Sequence, residues 1–256
     1  ALELNRKLGR EAWIASDLEH IGMVYRSWGQ YDEALNYYDQ ALELNRKLDR
    51  EAGIATTLDR IGWVYDTRGD HNKALHYYEQ ALKLSRKLGN EVRIATNLEH
   101  IGAVFLERGY YDKALDNYQH ALELLRKSGN AFCAVCKLNG IGLVYSYWGR
   151  YDEALKYFEE ALSFAREFGW EANIATLSNN IGVVYDNLEQ YDKALDYYQK
   201  ALDIAQRLNV HSAIAVHLNN IGGAYNELGQ YDKALKYHEQ ALVVARKLGE
   251  EANVAS

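Results

Sequence analysis

Residues 11–30 read EAWIASDLEHIGMVYRSWGQ, and residues 31–50 follow with YDEALNYYDQALELNRKLDR. In the first half, Ile14, Ala15, Leu18, Ile21, Gly22 and Tyr25 fall at helical spacing. In the second, Ala34, Leu35, Tyr38, Ala41, Leu42 and Leu44 do the same. Gly29 between them supplies the permissive backbone that ends a helix. Asp32 lies in the first turn of the second helix and Arg46 and Lys47 in its last, both favourable to the helix dipole. The stretch therefore predicts an antiparallel helix pair, helix A and then helix B.

The pair repeats every 40 residues without insertion or deletion: Ile21-Gly22 returns as Ile61-Gly62, Ile101-Gly102, Ile141-Gly142, Ile181-Gly182 and Ile221-Gly222. A fixed period of this size marks a stacked array in which each unit buries its apolar face only against its neighbours. The expected organisation is one array over 1–256. Residues 1–10 end a preceding helix B, full repeats span 11–50, 51–90, 91–130, 131–170, 171–210 and 211–250, and 251–256 begin a further helix A. With both ends open, capping units are missing, so the chain reads as a segment of a longer protein that can stack end to end through surfaces around Leu2 and Leu242.

Small and aromatic residues keep the same clock. Gly22 and Ala34 stand where two helices must approach closely, since a larger side chain would overpack the contact. Of 21 tyrosines, 19 fall on four repeat positions, which assigns them to packing with the hydroxyl at a polar edge rather than to ligand stacking.

The run Ile21-Gly22, Tyr25, Gly29, Tyr31, Ala34, Tyr38 and Ala41 resembles the tetratricopeptide repeat (TPR). That family's repeat is about 34 residues long. Here Leu18 stands where the family usually has tryptophan, and no proline follows helix B. The longer unit is similar to the repeats of kinesin light chain and of Pins/LGN-type adaptors, and to arrays attached to bacterial signalling NTPases and proteases. The resemblance implies an all-α, right-handed superhelix (an α-solenoid) of antiparallel helix pairs, with helix A on the concave wall.

Composition limits the partners. The formal charge is −7, which argues against nucleic acid. No segment approaches a membrane span, and no signal peptide opens the chain. Two cysteines cannot make a disulfide framework, and a reducing, cytoplasmic setting is expected. Cys133 and Cys136 form a lone C-x-x-C, short of the four ligands of structural zinc, so no metal is assigned. His20 and His100 lie near carboxylates, but no nucleophile elbow, phosphate-binding loop or HExxH helix accompanies them. No catalytic residues and no cofactor are assigned.

A protein or peptide is the expected partner, read by the face of helix A left free after packing. Along it, the series at 23 supplies an apolar floor that includes Trp63 and Leu143. The series at 19 runs Glu19, Asp59, Glu99, Asn139, Asn179 and Asn219. At 20 it runs His20, Arg60, His100, Gly140, Asn180 and Asn220. The acidic row could receive a basic peptide or be a solvated face. The amides could pair with a peptide backbone as a ladder, as the resemblance implies for Asn180 and Asn220, or bond to neighbouring side chains or water. Arg60 is the one strong cation in these rows, which argues against a clamp for a terminal carboxylate. The leading expectation is a non-catalytic interaction scaffold; the alternative is a regulatory or sensor segment of a larger signalling NTPase or protease.

Overall fold

The structure is a computed structural model and describes residues 1–127, 129 and 131–254, with side chains through 248. It contains 13 helices among the described residues. After α1 (Leu2–Lys7), helices A are α2 (Glu11–Ser27), α4 (Glu51–Thr67), α6 (Glu91–Glu107), α8 (Ala131–Tyr147), α10 (Glu171–Asn187) and α12 (His211–Glu227). Helices B are α3 (Tyr31–Lys47), α5 (His71–Lys87), α7 (Tyr111–Lys127), α9 (Tyr151–Glu167), α11 (Tyr191–Arg207) and α13 (Tyr231–Val254). The chain divides into two compact units, Ala1–Asn130 and Ala131–Ser256. Within each, every helix A packs antiparallel on the helix B that follows it, the arrangement of a TPR solenoid.

The turns end the helices as the glycine spacing predicts. The Gln30 amide donates to the Tyr25 carbonyl at 2.9 Å and the Gly29 amide to the Arg26 carbonyl at 3.0 Å. With Gly29 at φ +73°, this is the Schellman closure of a helix C-terminus. Asp49, Glu189 and Asn209 take the same left-handed conformation without being glycine.

The core repeats with the sequence. Ala34, Tyr38 and Ala41 are fully buried and Leu42 nearly so, as are their equivalents in the next four repeats. Burying one such leucine or aromatic side chain stabilises by about 1.5–3 kcal/mol. The small residue at 22 has the predicted reason: a Cβ on Gly22, Gly62, Gly142 or Gly182 would stand 2.5–2.8 Å from the ring at position 38 of its own repeat. Replacing glycine there forces the ring to move.

At the C-terminal end α13 runs without a break from Tyr231 to Val254. Extending an existing helix adds one hydrogen bond per residue, whereas a new helix needs a costly nucleus. Residues 255–256 of the segment 251–256, and Asn130 at the end of the third repeat, lie outside the described residues.

Candidate functional site: the helix-A wall

Helix A offers a row of polar side chains, and the structure pairs them between repeats. Position 19 accepts and position 20 of the next repeat donates. Arg60 Nη1 donates to Glu19 Oε2 at 2.9 Å, and His100 Nδ1 to Asp59 Oδ1 at 2.9 Å. In the second unit, Asn180 Nδ2 donates to Asn139 Oδ1 at 2.8 Å and Asn220 Nδ2 to Asn179 Oδ1 at 2.9 Å. Of the two readings of the amides, bonding to neighbouring side chains is therefore realised. Each Asn pair still leaves the donor of Asn139 or Asn179 and the acceptor of Asn180 or Asn220 outside the pair bond.

Position 17 adds a second donor that the sequence reading did not include. Thr57 Oγ1 donates to Glu19 Oε1 at 2.6 Å, Asn97 Nδ2 to Asp59 Oδ1 at 2.9 Å, and His217 Nδ1 to Asn179 Oδ1 at 3.0 Å. In the first unit helix B joins in: Asn45 Nδ2 reaches Glu19 Oε1 at 3.2 Å, and Ser85 Oγ donates to Asn97 Oδ1 at 2.9 Å. A Cβ on Gly53 would sit 2.5 Å from Asn45 Oδ1, so glycine there makes room for the amide. At the helix-B position the first unit buries Asn45 and Ser85 where the second has Ala165 and Ala205, while at position 17 the second unit buries Lys137 and His217 beside Leu177. Burial leaves His217 harder to protonate than an ordinary imidazole.

The remaining expected residues are placed as follows. His20 is exposed, and its Nδ1 lies 2.7 Å from the Ser16 carbonyl. Trp63 is half-buried beneath the Arg26 guanidinium, 4.3 Å from the ring centroid. Leu143 and Glu99 are half-buried on their helices, and Asn219 is exposed with its Oδ1 2.7 Å from His238 Nδ1. Cys133 and Cys136 are reduced and half-buried. Asp66, His71 and Glu107 bring potential metal-ligand atoms within 4.8 Å of one another. His71 Nδ1 is 3.2 Å from Asp66 Oδ1, within hydrogen-bond reach, and 3.8 Å from Glu107 Oε2.

Beside the Asn179–His217 contact lies a pocket of about 350 Å3 between α10, α11 and α12. Its sides are Ala175, Leu208, Val210, Ala213 and Val216, and Asn179 and His217 supply its polar base. Thr176 also lines it, but its hydroxyl donates to the Ala172 carbonyl at 3.1 Å. Sequence reasoning found Asn179 and missed the rest. The available signal was the small side chain at position 13, Ala213, where Trp13 and Arg93 stand in earlier repeats.

These features define a helical-repeat protein built from stacked antiparallel helix pairs. The tetratricopeptide repeat pattern matches residues 1–87, 93–167 and 173–249, and the chain belongs to that family. A comparison with curated protein sequences found no match. Among solved structures the chain is similar to BtubC (BKLC) from P. vanneervenii, at 20% identity over 86% of this chain and 92% of that one, with a TM-score of 0.74. It is similar to a Rap protein complexed with competence and sporulation factor, at 18% identity over 94% and 76%, TM-score 0.63. It is also similar to a putative kinesin light chain with nearly identical TPR-like repeats from Podosopora anserina, at 14% identity over 75% and 95%, TM-score 0.61. At these identities the likeness is one of fold. No described helix is long and apolar enough to cross a membrane.

Proposed function

We propose that this chain is a non-catalytic interaction scaffold that holds a peptide segment against the helix-A wall of the second unit. The observation that carries the reading is the pocket between α10, α11 and α12. Its apolar sides suit an aliphatic or small aromatic side chain. The amide of Asn179 at its base, with Asn180 next to it along α10, offers the mixed donors and acceptors that a peptide backbone needs. In the first unit the corresponding row is charged and satisfied by Arg60, Thr57 and Asn45, which makes it a poorer reader of backbone.

Selection of binders from a random-peptide display library against the intact chain tests this. Enriched peptides should lose about tenfold in affinity, roughly 1.4 kcal/mol, with Val216→Asp, a substitution at a half-exposed site on the pocket wall. Asp203→Lys on the outer face of α11 should leave them unchanged. Peptides that bind equally well to both variants would overturn the assignment.

A further inference from the structure

Five of the six repeats stack a tyrosine of helix B on a tyrosine of helix A. The pairs are Tyr25–Tyr37, Tyr65–Tyr77, Tyr145–Tyr157, Tyr185–Tyr197 and Tyr225–Tyr237, with ring centroids 5.3–5.6 Å apart. The third repeat has Phe105 on helix A and Asn117 on helix B. Asn117 does not fill the vacancy: its Nδ2 turns back to the Lys113 carbonyl at 2.8 Å. A cavity of about 460 Å3 remains between α5, α6 and α7.

The neighbouring repeats show what chemistry that cavity is shaped for. Its floor is Leu82, Leu98, Ile101 and Phe105, with Glu79 and Arg86 at the rim. Forty residues earlier the equivalents are Leu42, Leu58, Ile61, Tyr65, Asp39 and Arg46. There, Tyr77 packs on the cluster that contains Leu42, Leu58 and Ile61. Burial foremost, then the Tyr65 phenol and the Asp39 carboxylate, raise the Tyr77 pKa against the pull of Arg46, so both charged groups act on the phenol. Glu159 and Arg166 act on the Tyr197 phenol in the same opposed senses. The third repeat keeps the apolar floor, the aromatic face and the carboxylate–guanidinium pair and lacks the phenol; Lys83, Asp116 and His120 complete the lining.

We propose that this cavity is a socket for a tyrosine side chain of a partner polypeptide, inserted where the array's own tyrosine is missing. The ring stacks on Phe105, a contact of the kind that five repeats make internally. The phenol O–H donates to the Glu79 carboxylate, and Arg86 donates to the phenol oxygen. Glu79 and Arg86 are exposed at the mouth, so a side chain carried on a polypeptide can enter from solvent. The socket lies on the helix-B side of the first unit and stands independently of the helix-A wall.

The test is methyl NMR on the intact chain, titrated with p-cresol and with the capped peptide N-acetyl-Gly-Tyr-Gly-amide. Both should give saturable shifts at the methyls of Leu82, Leu98 and Ile101, and none at those of Leu42, Leu58 and Ile61. Asn117→Tyr should abolish the shifts by refilling the slot, with Asn117→Phe as a second filler should the first perturb folding. Replacing tyrosine by alanine in the peptide should lower its affinity at least tenfold. Absence of saturable shifts, or equal shifts in the filled variants, would overturn the socket. Binding of p-cresol without the peptide would overturn the polypeptide as its occupant and leave a site for small free phenols.

Discussion

Asn180 Nδ2 donates to Asn139 Oδ1 at 2.8 Å across one repeat, and this bond sets the amide row to work first as a fastener between helices. A typical intramolecular hydrogen bond contributes about 0.5–1.5 kcal/mol. Asn220→Ala removes the matching bond to Asn179, yet Asn179 Oδ1 keeps its donor in His217. Asn180→Ala removes the donor shown for Asn139. The expected outcome is that Asn180→Ala destabilises more than Asn220→Ala, and that the double variant loses about 1–3 kcal/mol. Hydrogen exchange resolved along α8, α10 and α12 reads this locally, as an array need not unfold in one step. Equal protection in the two single variants would refute the ranking.

The glycines at position 22 should differ in cost by geometry. A Cβ on Gly62 would lie 2.8 Å from the Tyr78 ring, and one on Gly102 would lie 3.2 Å from Tyr118. Overpacking costs about 1–3 kcal/mol, offset by roughly 1 kcal/mol of helix propensity gained over glycine. Gly62→Ala should therefore destabilise and Gly102→Ala be close to neutral. The Tyr78 hydroxyl is buried with no hydrogen-bond partner, while Phe158 fills the same position two repeats later without one. Tyr78→Phe should thus be neutral or stabilising in urea denaturation.

The fold was legible because its signals are local or strictly periodic. The Gly22–Tyr38 contact lies within one helix pair, and the 40-residue clock repeats it. The wall was only half legible. Its pairs join position 19 to position 20 of the following repeat, 41 residues on, so no single repeat shows them. The complementary signs of Glu19 with Arg60, and the acceptor and donor types of Asp59 with His100, were in the sequence as a hint of that stacking. Asn117 was visible too, as the one polar interruption in the tyrosine series at position 37. What an interruption leaves behind depends on where its own side chain turns, which only the Asn117–Lys113 bond reveals.

Two ion pairs should separate cleanly by burial. Glu19 binds Arg60 at 2.9 Å, also accepts from Thr57 and Asn45, and keeps 11% of its side chain exposed. Glu11 binds Lys47 at 2.7 Å with 40% and 65% of the two side chains exposed. Removing the buried carboxylate takes the acceptor from Arg60 and leaves Asn45 Nδ2 only the Thr57 hydroxyl at 3.4 Å, and hydrogen bonds to charged groups are worth about 1.5–3 kcal/mol. Exposed pairs contribute about 0–1 kcal/mol and are screened by salt. Glu19→Ala should therefore cost about 1.5–3 kcal/mol and Glu11→Ala less than 1. Thermal denaturation at low and high salt checks both; comparable losses for the two variants would contradict the assignment.

His217 makes the second unit sensitive to mild acid. Its side chain is buried and its ring contacts the neutral Asn179 amide, so burial lowers its pKa below the ordinary 6.5. As pH falls, the unfolded chain takes up the proton first, and protonation then favours unfolding. The contribution is fully present above about pH 6.5 and is lost as pH drops through the folded-state pKa. Leu177 holds the same register one repeat earlier, so His217→Leu is a substitution the array already accommodates. Denaturation midpoints measured from pH 7.5 to 5 should fall more steeply in the unmodified chain than in His217→Leu. The seven other histidines are common to both proteins, and the difference between the two curves isolates this one. Since His217 also forms the base of the pocket between α10, α11 and α12, exchange protection of α12 should weaken over the same pH range. Parallel curves for the two proteins would show that His217 ionises without penalty in the folded state.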